Sequence, residues 1–267
     1  MFKVKSSSIV SARANIWSLW FSLCLLGGFS TVTHALEQEI TWGGAYLEGY
    51  YGRSTITRIA QFPIAYTLRH AAWRAKLAIT WLAIDGARED MSIYAIKHAT
   101  GWADANLLLE YRFTPTPRWL ITLAAQCKFP LATYAQGLST GKIDGGPQTN
   151  VYYAVTQNIS LFSQAAYWWR GDPPDINLQN RTQLLAGTYW RLHTQFALGA
   201  TIEHTSAAAA ASAGQLYNTL FFVSNITPRW RAIPYVLKGY STSSPTWGAG
   251  LELQYKFAPS VQPRNDS

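Results

Sequence analysis

The stretch Glu203-His204-Thr205-Ser206 holds the sharpest candidate for chemistry in this sequence. In an extended chain, side chains two apart share a face, so His204 and Ser206 would stand together. Asn218, on the following segment, could lie near them. A histidine that takes the proton of a serine hydroxyl, oriented by a third polar group, is the nucleophile arrangement of acyl transfer. Ile202 shares that face, which is apolar, so the acyl group would come from lipid. The plain alternative is a His and a Ser at an apolar–water boundary, since a spacing of two arises readily by chance.

A second set is ionic. Arg74, Lys76, Asp104, Glu110, Arg112, Lys128, Glu203, Glu252 and Lys256 fall on faces opposite runs of apolar side chains. Both signs occur, and two uses fit. One is a braced interior in which the charges satisfy one another. The other is a narrow passage whose charges set selectivity. Other chemistry is excluded by spacing. GLSTGK (137–142) has three residues between its glycines rather than four, and Ile143 follows the lysine, so it is no phosphate loop. No HExxH or CxxC occurs, and His70, His98 and His193 are scattered, so neither a metal site nor a cofactor is expected.

These residues need a scaffold of period 2, the period of a β-strand. Trp73, Ala75, Leu77, Ile79 and Trp81 oppose Arg74, Lys76 and Thr80. Ala105, Leu107, Leu109, Tyr111 and Phe113 oppose Asp104, Asn106, Glu110 and Arg112, with Leu108 as the exception. Phe196, Leu198, Ala200 and Ile202 oppose Gln195, Thr201 and Glu203. About twelve such segments begin near Trp42, Ser54, Ala71, Trp102, Trp119, Gly145, Ile159, Asn180, Thr194, Gln215, Arg229 and Thr246. Those near Asn180 and Gln215 are ambiguous, because both of their faces are mostly apolar.

The connections alternate between tight and long. The tight ones lie at 69–71, 114–117, 158, 193–194 and 227–228; the long ones at 83–101, 130–144, 171–179, 205–214 and 241–245. Only the short 52–54 link breaks the rule. Short turns at one end and long loops at the other mark a bacterial transmembrane barrel. Trp73 and Trp81, or Trp247 and Tyr255, are eight residues apart on one face, which spans ~19 Å along a membrane normal for tilted strands, close to the apolar band of such barrels. TPRW occurs twice, at 116–119 and 227–230, each time as a turn followed by an anchoring Trp. The uncharged runs 145–169 and 205–228 carry Gln, Asn, Thr and Ser at intervals. A membrane helix would expose these to lipid, whereas a barrel interior shelters them. A soluble two-sheet sandwich also alternates, but it would not gather large aromatics at strand ends on the face opposite the charges.

Composition agrees. The chain has 267 residues with 12 Trp and 15 Tyr but only 13% charged residues, against about 25% in soluble domains. Lys3, Lys5 and Arg13 precede the apolar run 16–29, and STVTHA follows it, which reads as a signal peptide over residues 1–35 with Ala35 at the cleavage point. Without those three residues, 19 of the 22 basic residues remain against 14 acidic ones, a net charge of +5. One cysteine remains, Cys127, so no internal disulfide can form. No basic run exceeds two residues, so a nucleic-acid partner is not expected. Residues 258–267 (APSVQPRNDS) have two prolines and no apolar pattern, and read as a disordered periplasmic tail behind a barrel spanning 36–257.

Three stretches resemble a known family. GWADANLLLEYRF (101–113) resembles a glycine-then-aspartate strand entry; CKFPLATYAQGLSTGKID (127–144) and KGYSTSSPTWGAGLELQYKF (238–257) resemble a characteristic loop and a closing hairpin. Together they resemble the meta-pathway of phenol degradation family of outer-membrane barrel proteins. That resemblance implies a transporter of aromatic or hydrophobic compounds. Leu131 and Ala132 stand where that family tends to have Thr and Gly, and Thr246 where it tends to have Asp, so the loop is less polar here. The His204, Ser206 and Asn218 spacing resembles that of outer-membrane phospholipase A, with an alanine run replacing its surrounding glycine and basic residues.

The expectation is therefore an all-β, single antiparallel up-and-down transmembrane barrel of about twelve strands in the bacterial outer membrane, monomeric, apolar side to lipid. It would contact membrane lipid and lipopolysaccharide, depend on the barrel-assembly machinery, and pass a small hydrophobic ligand. The lipid hydrolase and a purely structural barrel remain the alternatives.

Overall fold

The computed structural model describes residues 36–86, 98–173, 177–209 and 212–258. The stretch read as a signal peptide and nearly all of the tail lie outside these residues. Twelve strands run in chain order: β1 (Glu37–Gly49), β2 (Thr57–His70), β3 (Trp73–Gly86), β4 (His98–Thr116), β5 (Trp119–Pro130), β6 (Asp144–Ala154), β7 (Ile159–Trp168), β8 (Arg181–Arg191), β9 (Phe196–Thr205), β10 (Gln215–Asn225), β11 (Trp230–Gly239) and β12 (Trp247–Lys256). Each pairs antiparallel with its chain neighbours, and β1 pairs with β12 from Glu39↔Lys256 to Glu48↔Trp247, closing the barrel. The fold class expected from the alternation is the one observed.

Closure leaves no sheet edge, so backbone donors and acceptors are satisfied between strands, the condition for crossing hydrocarbon. Outward side chains are apolar and open. Leu220 is 61% and Val236 54% exposed, and a continuous belt of this kind is stable only against lipid. Aromatic pairs rim the belt at both ends. Trp73–Tyr111 (5.0 Å), Trp119–Tyr153 (4.6 Å) and Trp230–Tyr255 (5.0 Å) lie at the end with the tight turns. Tyr46–Trp247 (5.6 Å) and Tyr167–Trp169 (5.7 Å) lie at the end with the long loops.

The turns are local chemistry. In both TPRW turns the threonine hydroxyl accepts from the arginine N–H two residues on, Thr116 from Arg118 (3.3 Å) and Thr227 from Arg229 (3.2 Å). Thr156 does the same for Asn158 (3.2 Å) in the β6–β7 turn. Such hydroxyl turns reverse the chain without glycine.

Two boundaries differ from the sequence expectation. β1 begins at Glu37 rather than near Trp42, and β4 at His98 rather than near Trp102. Both extensions are polar, running past the apolar belt, so the hydrophobic pattern that reveals a strand is absent there. Beside the charged set, Tyr152, Phe162, Leu185, Tyr217, Phe221, Ile233, Tyr235 and Leu237 are buried inside the barrel. This explains why β8 and β10 read ambiguously: both of their faces are apolar because the interior beside them is apolar too.

Glycines make room for those rings. A Cβ on Gly187 would sit 2.4 Å from Phe162, one on Gly199 2.0 Å from Phe221, and one on Gly250 2.5 Å from Tyr235. Each ring lies against the bare backbone of a neighbouring strand. Gly199→Ala is therefore expected to lower stability by about 1–3 kcal/mol, measured as a lower urea midpoint for the folded barrel in detergent. Adding Phe221→Leu should recover most of the loss.

Candidate functional site

The interior has two unlike walls. On β2–β5 charged and polar inward side chains share the wall with Ile59, Leu82, Ile84 and Leu108. Arg74 Nη2 donates to Glu110 Oε2 at 2.9 Å, and Arg69 Nη1 to Glu39 Oε2 at 3.2 Å. Asn150 of β6 joins this wall, donating to Thr122 Oγ1 at 2.7 Å and to Glu110 Oε2 at 3.4 Å. From β6 to β11 the inward rings Tyr152, Phe162, Tyr217, Phe221 and Tyr235 alternate with polar side chains, and Tyr152 and Phe162 stack at 6.0 Å. Among those polar side chains, Gln183 Nε2 donates to Glu203 Oε1 at 2.8 Å. On β12, Gln254 Nε2 donates to Glu252 Oε1.

The loop end is tied by one lysine. Lys128 Nζ lies 2.9 Å from Asp144 Oδ2 and 3.5 Å from Asp104 Oδ2, and donates to Thr140 Oγ1 at 2.9 Å. Arg170 Nε stands 3.9 Å from the same Asp144 oxygen. Burial lowers the Arg170 guanidinium from its ordinary range, opposed by Asp144 and Asp172. Thr140 belongs to the β5–β6 connection, which turns into the barrel mouth: Ala132, Leu138, Ser139 and Thr140 are buried. Gly137 (φ 65°) and Gly141 (φ 68°) bracket the inserted Leu-Ser-Thr in the left-handed region that favours glycine. Leu138 approaches Gly101 so closely that a Cβ there would be 3.0 Å away. Two further connections close over the same mouth. Gly52 N–H donates to Thr242 O at 2.6 Å, and Gln215 Nε2 to Ser243 O at 2.8 Å. Tyr51, buried beneath them, has its phenol pushed up by desolvation.

The ionic set read from the sequence lies on the inward face. Arg74, Lys76, Glu110, Lys128, Glu203 and Glu252 are buried, while Asp104, Arg112 and Lys256 are half-buried. The structure joins Arg74 to Glu110 and Lys128 to Asp104. Sequence reasoning missed Glu39, Arg69, Asp144, Arg170, Arg181 and Arg231. Glu39 was hidden by the late start assigned to β1. Asp144, Arg170 and Arg181 sit at strand ends or in a connection, where alternation gives no face. At the turn-end half, Arg69, Arg74, Lys76, Arg112, Arg231 and Lys256 face Glu37, Glu39, Glu110 and Glu252, an excess of positive charge.

His204, Ser206 and Asn218 are placed apart in their bonding. Ser206 Oγ accepts from Thr182 N–H at 3.0 Å, on the β8 side. Asn218 Nδ2 donates to Tyr240 OH at 3.3 Å, on the β11 side. His204 stands outward between Leu184 and Leu216. Among the described residues no hydrogen bond joins the three.

In sequence the chain matches no family model and none of the curated proteins. In structure it is similar to an outer membrane channel from Pseudomonas putida F1, with a TM-score of 0.70 at 10% identity over 85% of this chain and 97% of that one. The KdgM porin (TM-score 0.57, 9% identity, 82% and 99% covered) and the NanC porin (0.53, 10%, 82% and 99%) share the architecture. At such identities the likeness is one of fold: a barrel of the outer-membrane type.

Two outcomes follow. Lys128→Met leaves Asp104 and Asp144 without their shared cation, and is expected to destabilise the barrel by about 3–5 kcal/mol, seen as a lower temperature for the heat-induced gel-mobility shift. Purified protein is expected to release no fatty acid from phospholipid vesicles above background, with Ser206→Ala indistinguishable. Release abolished by that substitution would restore the hydrolase.

Proposed function

We propose that the protein is a monomeric, passive channel of the bacterial outer membrane that admits small hydrophobic or aromatic compounds. The two-walled interior carries this reading. Rings seated on glycines would give a planar solute apolar contacts, and Arg, Lys, Gln and Thr across the interior would bond its polar end. The resemblance to the phenol-degradation family points the same way, and the outer membrane channel and porins named above are barrels of like build. The tight turns would face the periplasm and the long loops the exterior, with lipopolysaccharide against the outer rim and the barrel-assembly machinery acting during insertion.

A structural barrel without transport is the second reading. Its support is the burial of the interior: Lys76, Glu110 and Glu252 are each 1% exposed. On the channel reading, the inserted 138–140 segment swings out on Gly137 and Gly141 to admit solute. Planar-bilayer recording of the full chain separates the two. Small unitary steps are expected, and deleting 134–141 should enlarge them several-fold. Silence from both the parent and the deletion variant would leave the structural barrel.

A further inference from the structure

The cross-strand pair Arg69–Arg74 is the part of the interior that the braced-charge account does not absorb. The register sets the two residues directly opposite each other on β2 and β3. Like charges so placed repel. Glu39 pairs with Arg69, and Glu110 with Arg74. Glu110, however, meets only Nη2 of Arg74. Nε and Nη1 are buried without a hydrogen-bond partner, in a side chain 5% exposed. A guanidinium has five N–H donors and no acceptor, and unmet donors on a buried charge carry a desolvation cost. Basic residues outnumber acidic ones on the inward face of this half of the barrel, so Arg74 stands in a positive surrounding.

The same residues border the aromatic wall. Glu110 accepts from Asn150, and Asn150 shares the inward face of β6 with Tyr152, which stacks on Phe162. The chain Arg74–Glu110–Asn150–Tyr152–Phe162 thus runs from an under-paired cation to a stacked pair of rings.

We propose that Arg74, with Arg69 beside it, is a carboxylate-binding subsite, and that the compounds this barrel takes are aromatic or hydrophobic acids. The carboxylate docks on the free Arg74 nitrogens and the apolar body lies against Tyr152 and Phe162. For transit, though not for binding, this rests on the channel reading. An anion of this kind meets the donors that Arg74 leaves unpaired, and it exchanges with water as the solute moves on.

Benzoate is the probe, with benzyl alcohol as its neutral counterpart, titrated calorimetrically into the full chain in detergent. Benzoate should bind more tightly than benzyl alcohol. Arg74→Gln should weaken benzoate by about tenfold or more, the scale of a charge-assisted hydrogen bond, and leave benzyl alcohol unchanged. Arg74→Lys should recover part of the loss, because a point charge keeps the attraction without the planar donors. Glu110→Gln, which removes the competing carboxylate, should strengthen benzoate, so the proposal does not hang on one variant that could fail to fold. Equal binding of the two probes, or indifference of benzoate to all three substitutions, overturns it. Bilayer recording keeps the two readings apart. Conductance untouched by benzoate removes the subsite and keeps the channel. Calorimetric binding that depends on Arg74, without conductance, keeps the subsite and removes the channel.

Discussion

Closure of the sheet by β1 on β12 is the constraint from which the rest of this molecule follows. A backbone in hydrocarbon must satisfy its own donors and acceptors, and twelve antiparallel strands do so only if the last pairs with the first. That pairing turns the period of 2 into an inside and an outside for every residue. It also encloses a volume that must be packed, solvated or opened. Outward, the answer is uniform: leucine, valine and isoleucine at mid-height, with aromatic rims at both ends.

Inward, the answer is divided. One wall is charged and amide-rich, with Arg74, Glu110 and Asn150 linked in sequence. The other is built from rings laid over glycines, Phe162 on Gly187, Phe221 on Gly199 and Tyr235 on Gly250. The division lets charges pack with charges on one side and rings with bare backbone on the other. At the loop end the packing is tightened by Lys128, which holds two strands and an inserted loop through Asp104, Asp144 and Thr140.

Much of this was legible in the sequence where one face is lipid. Trp73, Leu77 and Trp81 against Arg74 and Lys76 admit one interpretation, because lipid tolerates only one of the two faces. Legibility failed where that contrast vanishes. β8 and β10 have apolar residues on both faces, so alternation left them ambiguous. Glu37 to Thr41 extend β1 below the apolar belt and carry no hydrophobic signal. Of the candidate site, Arg74 and Glu110 could be named from alternation. Asp144 and Arg170 could not, because strand ends and loops have no period to read.

The sequence by itself determined the class of the molecule: strand period, an even number of segments, short turns against long loops, and rings at the membrane boundaries. These are local properties, set by backbone geometry and by the cost of placing polar groups in lipid. Only the tertiary structure decided which charges meet, which rings cover which glycines, and that Arg69 and Arg74 stand side by side. Those depend on register between strands and on packing across the interior. One residue of slip would exchange every inward side chain for its outward neighbour, and no stretch of sequence read alone carries that information.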